Sequence, residues 1–107
     1  MMEWVEAGQF EAYPSGGTRV DVAGHRVAVF RIEDDLYAIG DLCSHAEASL
    51  AEGELFDDEV ECPRHGSEFN IKTGEPGSLP ATRSVGTYEI KVENETVMIR
   101  LEPQEEA

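Results

Sequence analysis

Apolar and polar residues alternate with a period of two towards both ends of the chain. No window repeats at helical spacing, so the pattern predicts strands. Trp4 and Val5 begin an edge strand, and Pro14-Ser15-Gly16-Gly17 reads as a turn. Arg19–Val22 and Arg26–Ile32 then flank Ala23-Gly24-His25 as a hairpin, with His25 as a surface residue of its turn. After a turn at Glu33-Asp34-Asp35, Leu36–Ile39 is the next short strand. Near the end, Tyr88–Val92 and Val97–Leu101 form a second hairpin around Glu93-Asn94-Glu95-Thr96, and residues 102–107 read as a frayed tail.

Between Asp41 and Pro80 this rhythm stops. The stretch is rich in glycine and turn residues, and irregularity on this scale inside a small β domain marks a functional insertion. Both cysteines and two of the three histidines lie in it, as Cys43-Ser44-His45 and Cys62-Pro63-Arg64-His65. Either piece alone is weak, because a thiol beside an incidental histidine is commonplace. Together they offer two thiolates and two imidazoles, a donor set suited to an iron–sulfur centre or to zinc. The segment between them, with Gly53–Phe56 and Glu59–Glu61 about Asp57-Asp58, reads as a hairpin that returns the chain across the site.

Composition narrows the field. With 107 residues, a single domain is expected, and no apolar run is long enough for a membrane helix. The first ten residues carry Glu3 and Glu6 with no basic cluster, unlike a secretory signal, so a cytoplasmic location is expected. There, disulfides are rare, and cysteines point to metal or redox chemistry. Asp and Glu number 23 against 8 Lys and Arg, a formal net charge of −15, which argues against nucleic-acid and anionic-membrane partners. The plain reading of this charge is solubility; docking onto basic faces of protein partners is the sharper one.

The two motifs, their spacing, and the continuation His65-Gly66-Ser67-Glu68-Phe69 resemble the Rieske family, as do Leu50, Gly53–Leu55 and Gly77-Ser78-Leu79-Pro80. The resemblance spans residues 3 to 101. It implies an all-β Rieske fold: an antiparallel sandwich or barrel-like base with an inserted cluster-binding subdomain at about residues 41–80. It implies one [2Fe–2S] cluster per chain, with Cys43 and Cys62 on the inner iron and His45 and His65 on the outer. It further implies a hydrogen bond from Ser67 to a cluster sulfur and a covering loop that contains Pro80. High-potential members carry a tyrosine where this chain has Phe69. Ala48 and Arg64 occupy the positions of a bridging cysteine pair in respiratory members, so that bridge cannot form. These departures imply a potential in the lower half of the roughly −150 to +300 mV Rieske range.

The family reading is a stand-alone, monomeric ferredoxin, an electron carrier and not an enzyme. It would take one electron from a ferredoxin reductase and pass it to a terminal oxygenase, most often a ring-hydroxylating dioxygenase. Alternatives are a small subunit of a nitrite-reductase-like system, a part in iron–sulfur assembly, or a structural Cys₂His₂ zinc module. A zinc module leaves the Pro63, Gly66 and Phe69 context unexplained. Trp4, Tyr13, Tyr37 and Tyr88 read as core or strand-surface residues before electron relays, and Arg64 as a docking contact.

Overall fold

The structure is a computed structural model, and it describes residues 4–22, 24–41, 49–63, 68–75 and 85–100. Its strands, in order, are β1 (Trp4–Gln9), β2 (Gly16–Val22), β3 (His25–Ile32), β4 (Asp35–Gly40), β5 (Leu55–Phe56), β6 (Glu59–Glu61), β7 (Glu68–Asn70), β8 (Thr87–Tyr88), β9 (Ile90–Glu93) and β10 (Thr96–Arg100). Two 3₁₀ turns, Phe10–Ala12 and Leu50–Glu52, are the helical elements among the described residues. All strand pairs are antiparallel, and they form three sheets ordered β1-β10-β9, β2-β3-β4-β8 and β5-β6-β7. The all-β expectation holds, and strands from the two chain ends do pair in the base, as β1 with β10.

β3 joins two of the protein's buried cores. Val27, Ala28, Val29 and Phe30 are all fully buried, so this strand is covered on both faces and reads as a continuous apolar run. Successive side chains point to opposite faces. Val27 and Val29 join Tyr13, Ala38, Val97 and Ile99 in the core of the base. Ala28 and Phe30 join Ile39, Leu50, Val60, Cys62, Phe69, Ile71 and Val85 in a second core. One strand therefore serves two cores, and the second lies under the β5-β6-β7 sheet. Burying a ring such as that of Phe30 stabilises by roughly 1.5–3 kcal/mol, which ties β3 to the β5-β6-β7 sheet.

Four local expectations are corrected. Gly16 and Gly17 are already in β2, paired with Arg31 and Phe30, and the bend falls at Ser15. Val22 pairs with His25 around a two-residue connection, so His25 opens β3 instead of sitting in the turn. It is half-buried, and its Nδ1 lies 3.3 Å from the Tyr88 hydroxyl with the rings edge to face. Asp35 belongs to β4, leaving Glu33-Asp34 as the turn. The expected strand 88–92 is split at Glu89: Tyr88 pairs with Ala38 in one sheet and Ile90 with Ile99 in another. The chain crosses between sheets there, and Arg100 N donates to Glu89 O at 2.9 Å. The Asp57-Asp58 hairpin is as expected, with Leu55 opposite Val60, while β7 adds a third strand that the sequence pattern did not suggest. The tail at 102–107 lies outside the described residues.

Candidate iron–sulfur site

Of the four expected ligands, Cys62 is among the described residues. Cys43, His45 and His65 are not, and neither are Arg64, Ser67 and Pro80. The site is therefore built from Cys62 and from the residues that flank the segments 42–48, 64–67 and 76–84.

Cys62 directly follows β6, is 1% exposed, and is in no disulfide. β6 is short because its partners end: Leu55–Phe56 covers one side, and β7 pairs on the other up to Glu61 opposite Glu68. The chain thus leaves the ladder at the cysteine. Phe69, opposite Val60, is fully buried in the same core. The turn Leu50–Glu52 packs against β6 through Gly53. A Cβ at Gly53 would stand 1.9 Å from the Glu61 carbonyl oxygen, so no larger residue fits. This close approach gives a physical reason for the Gly53 of the family pattern.

The flanks of the other two segments converge on the same core. Leu50 and Ala51 follow the first segment, Val85 follows the third, and all belong to the buried cluster that contains Cys62. Gly40 N donates to Gly86 O at 2.7 Å, which joins the start of the first segment to the end of the third. Val85 N donates to Gly74 O at 2.9 Å and closes the third.

The first segment has the most elaborate closure. Leu50 N donates to Asp41 O at 2.7 Å, across residues 42–49. The Asp41 side chain is fully buried, and its two oxygens divide the work. Oδ1 accepts from Ser49 Oγ at 2.8 Å and from Ala51 N at 2.9 Å. Oδ2 accepts from Arg26 Nε at 2.7 Å, and Asp41 N donates to Arg26 O at 3.1 Å. Such a carboxylate is tolerated in a core because it is paired and fully hydrogen-bonded. Sequence reasoning missed Asp41, Arg26 and Ser49; the one available signal was a polar residue two positions before Cys43 and another four after His45.

The donor set fits a [2Fe–2S] centre. A buried thiol outside any disulfide stands at a strand end, in an apolar core where the flanks of the other motif segments meet. Among the described residues, no group of three or more His, Cys, Asp or Glu could hold a metal; Cys43, His45 and His65 lie outside them.

The Rieske [2Fe–2S] domain family matches residues 3–89. The chain belongs to this family. A ferredoxin component of naphthalene 1,2-dioxygenase/salicylate 5-hydroxylase systems from Ralstonia is 35% identical over 100 residues, covering 92% of this chain and 96% of that protein. An anthranilate 1,2-dioxygenase ferredoxin subunit from Burkholderia cepacia is 41% identical over 93 residues, 86% of each. A solved complex of reduced oxygenase and oxidised ferredoxin in carbazole 1,9a-dioxygenase contains a chain of the same fold. That chain has a TM-score of 0.88, is 38% identical, and the match covers 96% of this chain and 97% of that one. The cofactor of this Rieske protein is a [2Fe–2S] cluster, and the zinc-module alternative is set aside.

Proposed function

We propose that this Rieske protein is the ferredoxin component of a ring-hydroxylating oxygenase system, taking single electrons from a reductase and delivering them to the terminal oxygenase. One observation carries the reading: the match to dioxygenase ferredoxin components runs over 92% of this chain and 96% of the relative. The chain is a carrier and not a catalyst.

Cys43 and Cys62 are the proposed ligands of the inner iron, and His45 and His65 of the outer. The segment from about 41 to 80 is the proposed cluster-binding subdomain. The bound cluster supplies one reversible electron. The buried Cys62 and the apolar core beneath it keep water from the inner side. Ser67 is proposed to donate to a cluster sulfur, and the segment with Pro80 to cover the cluster. A cytoplasmic location is part of the proposal. Among the described residues, no helix is long and apolar enough to cross a membrane.

The test is direct. Purified protein is expected to be red-brown, with two irons and two sulfides per chain in the ratio that defines the centre. It should support turnover when mixed with a reductase and oxygenase of the class. Colourless protein that holds stoichiometric zinc and takes up no iron on anaerobic reconstitution would overturn the reading.

A further inference from the structure

We infer that Asp41 is a positioning residue for the cluster: it locks the segment bearing Cys43 and His45 to strand β3, and with Arg26 it balances charge beside the site. The inference rests on the iron–sulfur reading above. Four features carry it.

The carboxylate is fully buried, and both oxygens are spoken for, so it has one orientation. Its bonds run to two separate parts of the fold. Oδ1 holds Ser49 and Ala51, where the chain comes back from residues 42–48. Oδ2 holds Arg26 on β3, a strand whose next residues are buried on both faces. Finally, backbone bonds reinforce both ties, Leu50 N to Asp41 O and Asp41 N to Arg26 O. Cys43 is two residues beyond this junction. Asp41 and Ser49 thus fix both ends of the stretch 42–48 that bears the proposed ligands, and groups that hold ligand-bearing segments tune a metal site.

The two oxygens can be separated by substitution. An asparagine at 41 keeps an oxygen that can accept from Ser49 and Ala51. Its amide –NH₂ would face the Arg26 guanidinium, donor against donor, and the charge is gone. Alanine removes both ties. A hydrophobic residue at 26 leaves the carboxylate tied to the return but unpaired in charge. Arg26 is about one-third exposed, so water screens part of this charge, and the electrostatic effects are expected to be modest in size but definite in sign.

The experiment compares wild type, Asp41→Asn, Asp41→Ala, Arg26→Met and Ser49→Ala as intact, cluster-loaded chains. Three quantities are read: the rate of visible bleaching under an iron chelator, the reduced-state electron-paramagnetic-resonance line shape, and the reduction potential. Asp41→Ala is expected to bleach about tenfold faster, in line with a lost buried charge-assisted bond, and to show broadened g values. Ser49→Ala is expected to move the same way by less. Asp41→Asn should restore most of the line shape. It should raise the potential, because an unpaired Arg26 favours the added electron, while Arg26→Met should lower it.

A merely structural role would shift urea midpoints and leave line shape and potential alone. Wild-type bleaching and line shape in Asp41→Ala would overturn the inference, as would potential shifts of the same sign in Asp41→Asn and Arg26→Met. If Asp41→Ala does not fold, Ser49→Ala and the opposed pair of potentials decide. Wild type without a [2Fe–2S] cluster would remove the reading beneath the inference; a loaded wild type matched by every variant removes the inference alone.

Discussion

Gly74 lies directly against the backbone of Val85. Its carbonyl accepts from Val85 N at 2.9 Å, its φ is +77°, and a Cβ there would stand 2.1 Å from the Val85 carbonyl oxygen. The pairing closes the segment 76–84 just where Val85 enters the core that contains Cys62. Both the left-handed backbone and the close approach forbid a side chain.

Gly74→Ala is therefore expected to destabilise the fold by about 2–4 kcal/mol, combining backbone strain with a clash that the Val85 carbonyl cannot relieve by rotating away. Urea unfolding of the loaded protein measures it. Gly24→Ala is the control: its φ is +83°, but nothing lies within 4 Å of the added carbon. It should cost about 1–2 kcal/mol, the strain alone. Equal losses at both positions would contradict the close-approach argument.

Tyr13 supplies a pH dependence. It is buried in the core of the base, its hydroxyl donates to the Ala7 carbonyl, and burial raises its pKa above the ordinary 10.0. Above that value the unfolded chain releases the phenolic proton while the folded chain keeps it. The unfolded state then binds fewer protons, so stability is fully present below about pH 10 and falls as pH rises towards the folded-state value. Tyr13→Phe should lose about 1 kcal/mol at neutral pH, through the orphaned carbonyl, and should show a shallower alkaline decline. Urea midpoints at neutral pH and just above pH 10 test this; parallel declines in the two proteins would count against it.

The candidate ligand motifs were legible because metal chemistry constrains residue type and spacing at short range. Cys43-x-His45 and Cys62-x-x-His65 can be read without any knowledge of the fold. The hairpin at Asp57-Asp58 was legible for the same reason, since a turn and its two strands are contiguous. The closure at Asp41 was not. It gathers Arg26, Asp41 and Ser49 from three stretches, and each is unremarked in its own neighbourhood. The break at Glu89 was hidden differently. Tyr88, Ile90 and Val92 keep the period of one strand, yet Tyr88 joins β4 and Ile90 joins β10, a choice made by tertiary packing and not by alternation.

The β9–β10 hairpin carries avoidable strain. Thr96 pairs with Glu93, leaving Asn94-Glu95 as a two-residue connection, and both have positive φ, 49° and 66°. Such a turn favours Asn followed by Gly. Glu95→Gly is expected to stabilise by about 1 kcal/mol, because glutamate pays a left-handed penalty that glycine does not. The backbone bond from Phe10 N to Glu95 O, 2.8 Å, is kept by any residue. A raised urea midpoint with an unchanged visible spectrum is the expected result. An unchanged or lowered midpoint would mean that unfolded-chain entropy outweighs the strain.

Phe69 offers a test of how the protein sets its potential. Its ring is fully buried, it sits on β7 opposite Val60, and it shares a core with Cys62. A hydroxyl added by Phe69→Tyr must find an acceptor or be buried unpaired. A cluster sulfur is the acceptor that the resemblance to high-potential Rieske proteins implies. A bond to that sulfur is stronger in the more negative, reduced state, so it favours reduction. A difference of about 1 kcal/mol between the two states corresponds to roughly 40 mV for one electron. Protein-film voltammetry is expected to show a rise of that order, with stability held within about 1 kcal/mol of the parent. Ser67→Ala should move the potential the other way, since it removes a proposed donor. If the hydroxyl instead points away from the cluster, the potential stays fixed and the urea midpoint drops by the desolvation penalty of an unpaired group, about 1–3 kcal/mol. That pair of results would place the tuning of this protein outside the Phe69 position and leave the proposed Ser67 donor and the Asp41–Arg26 pair as the candidates to test next.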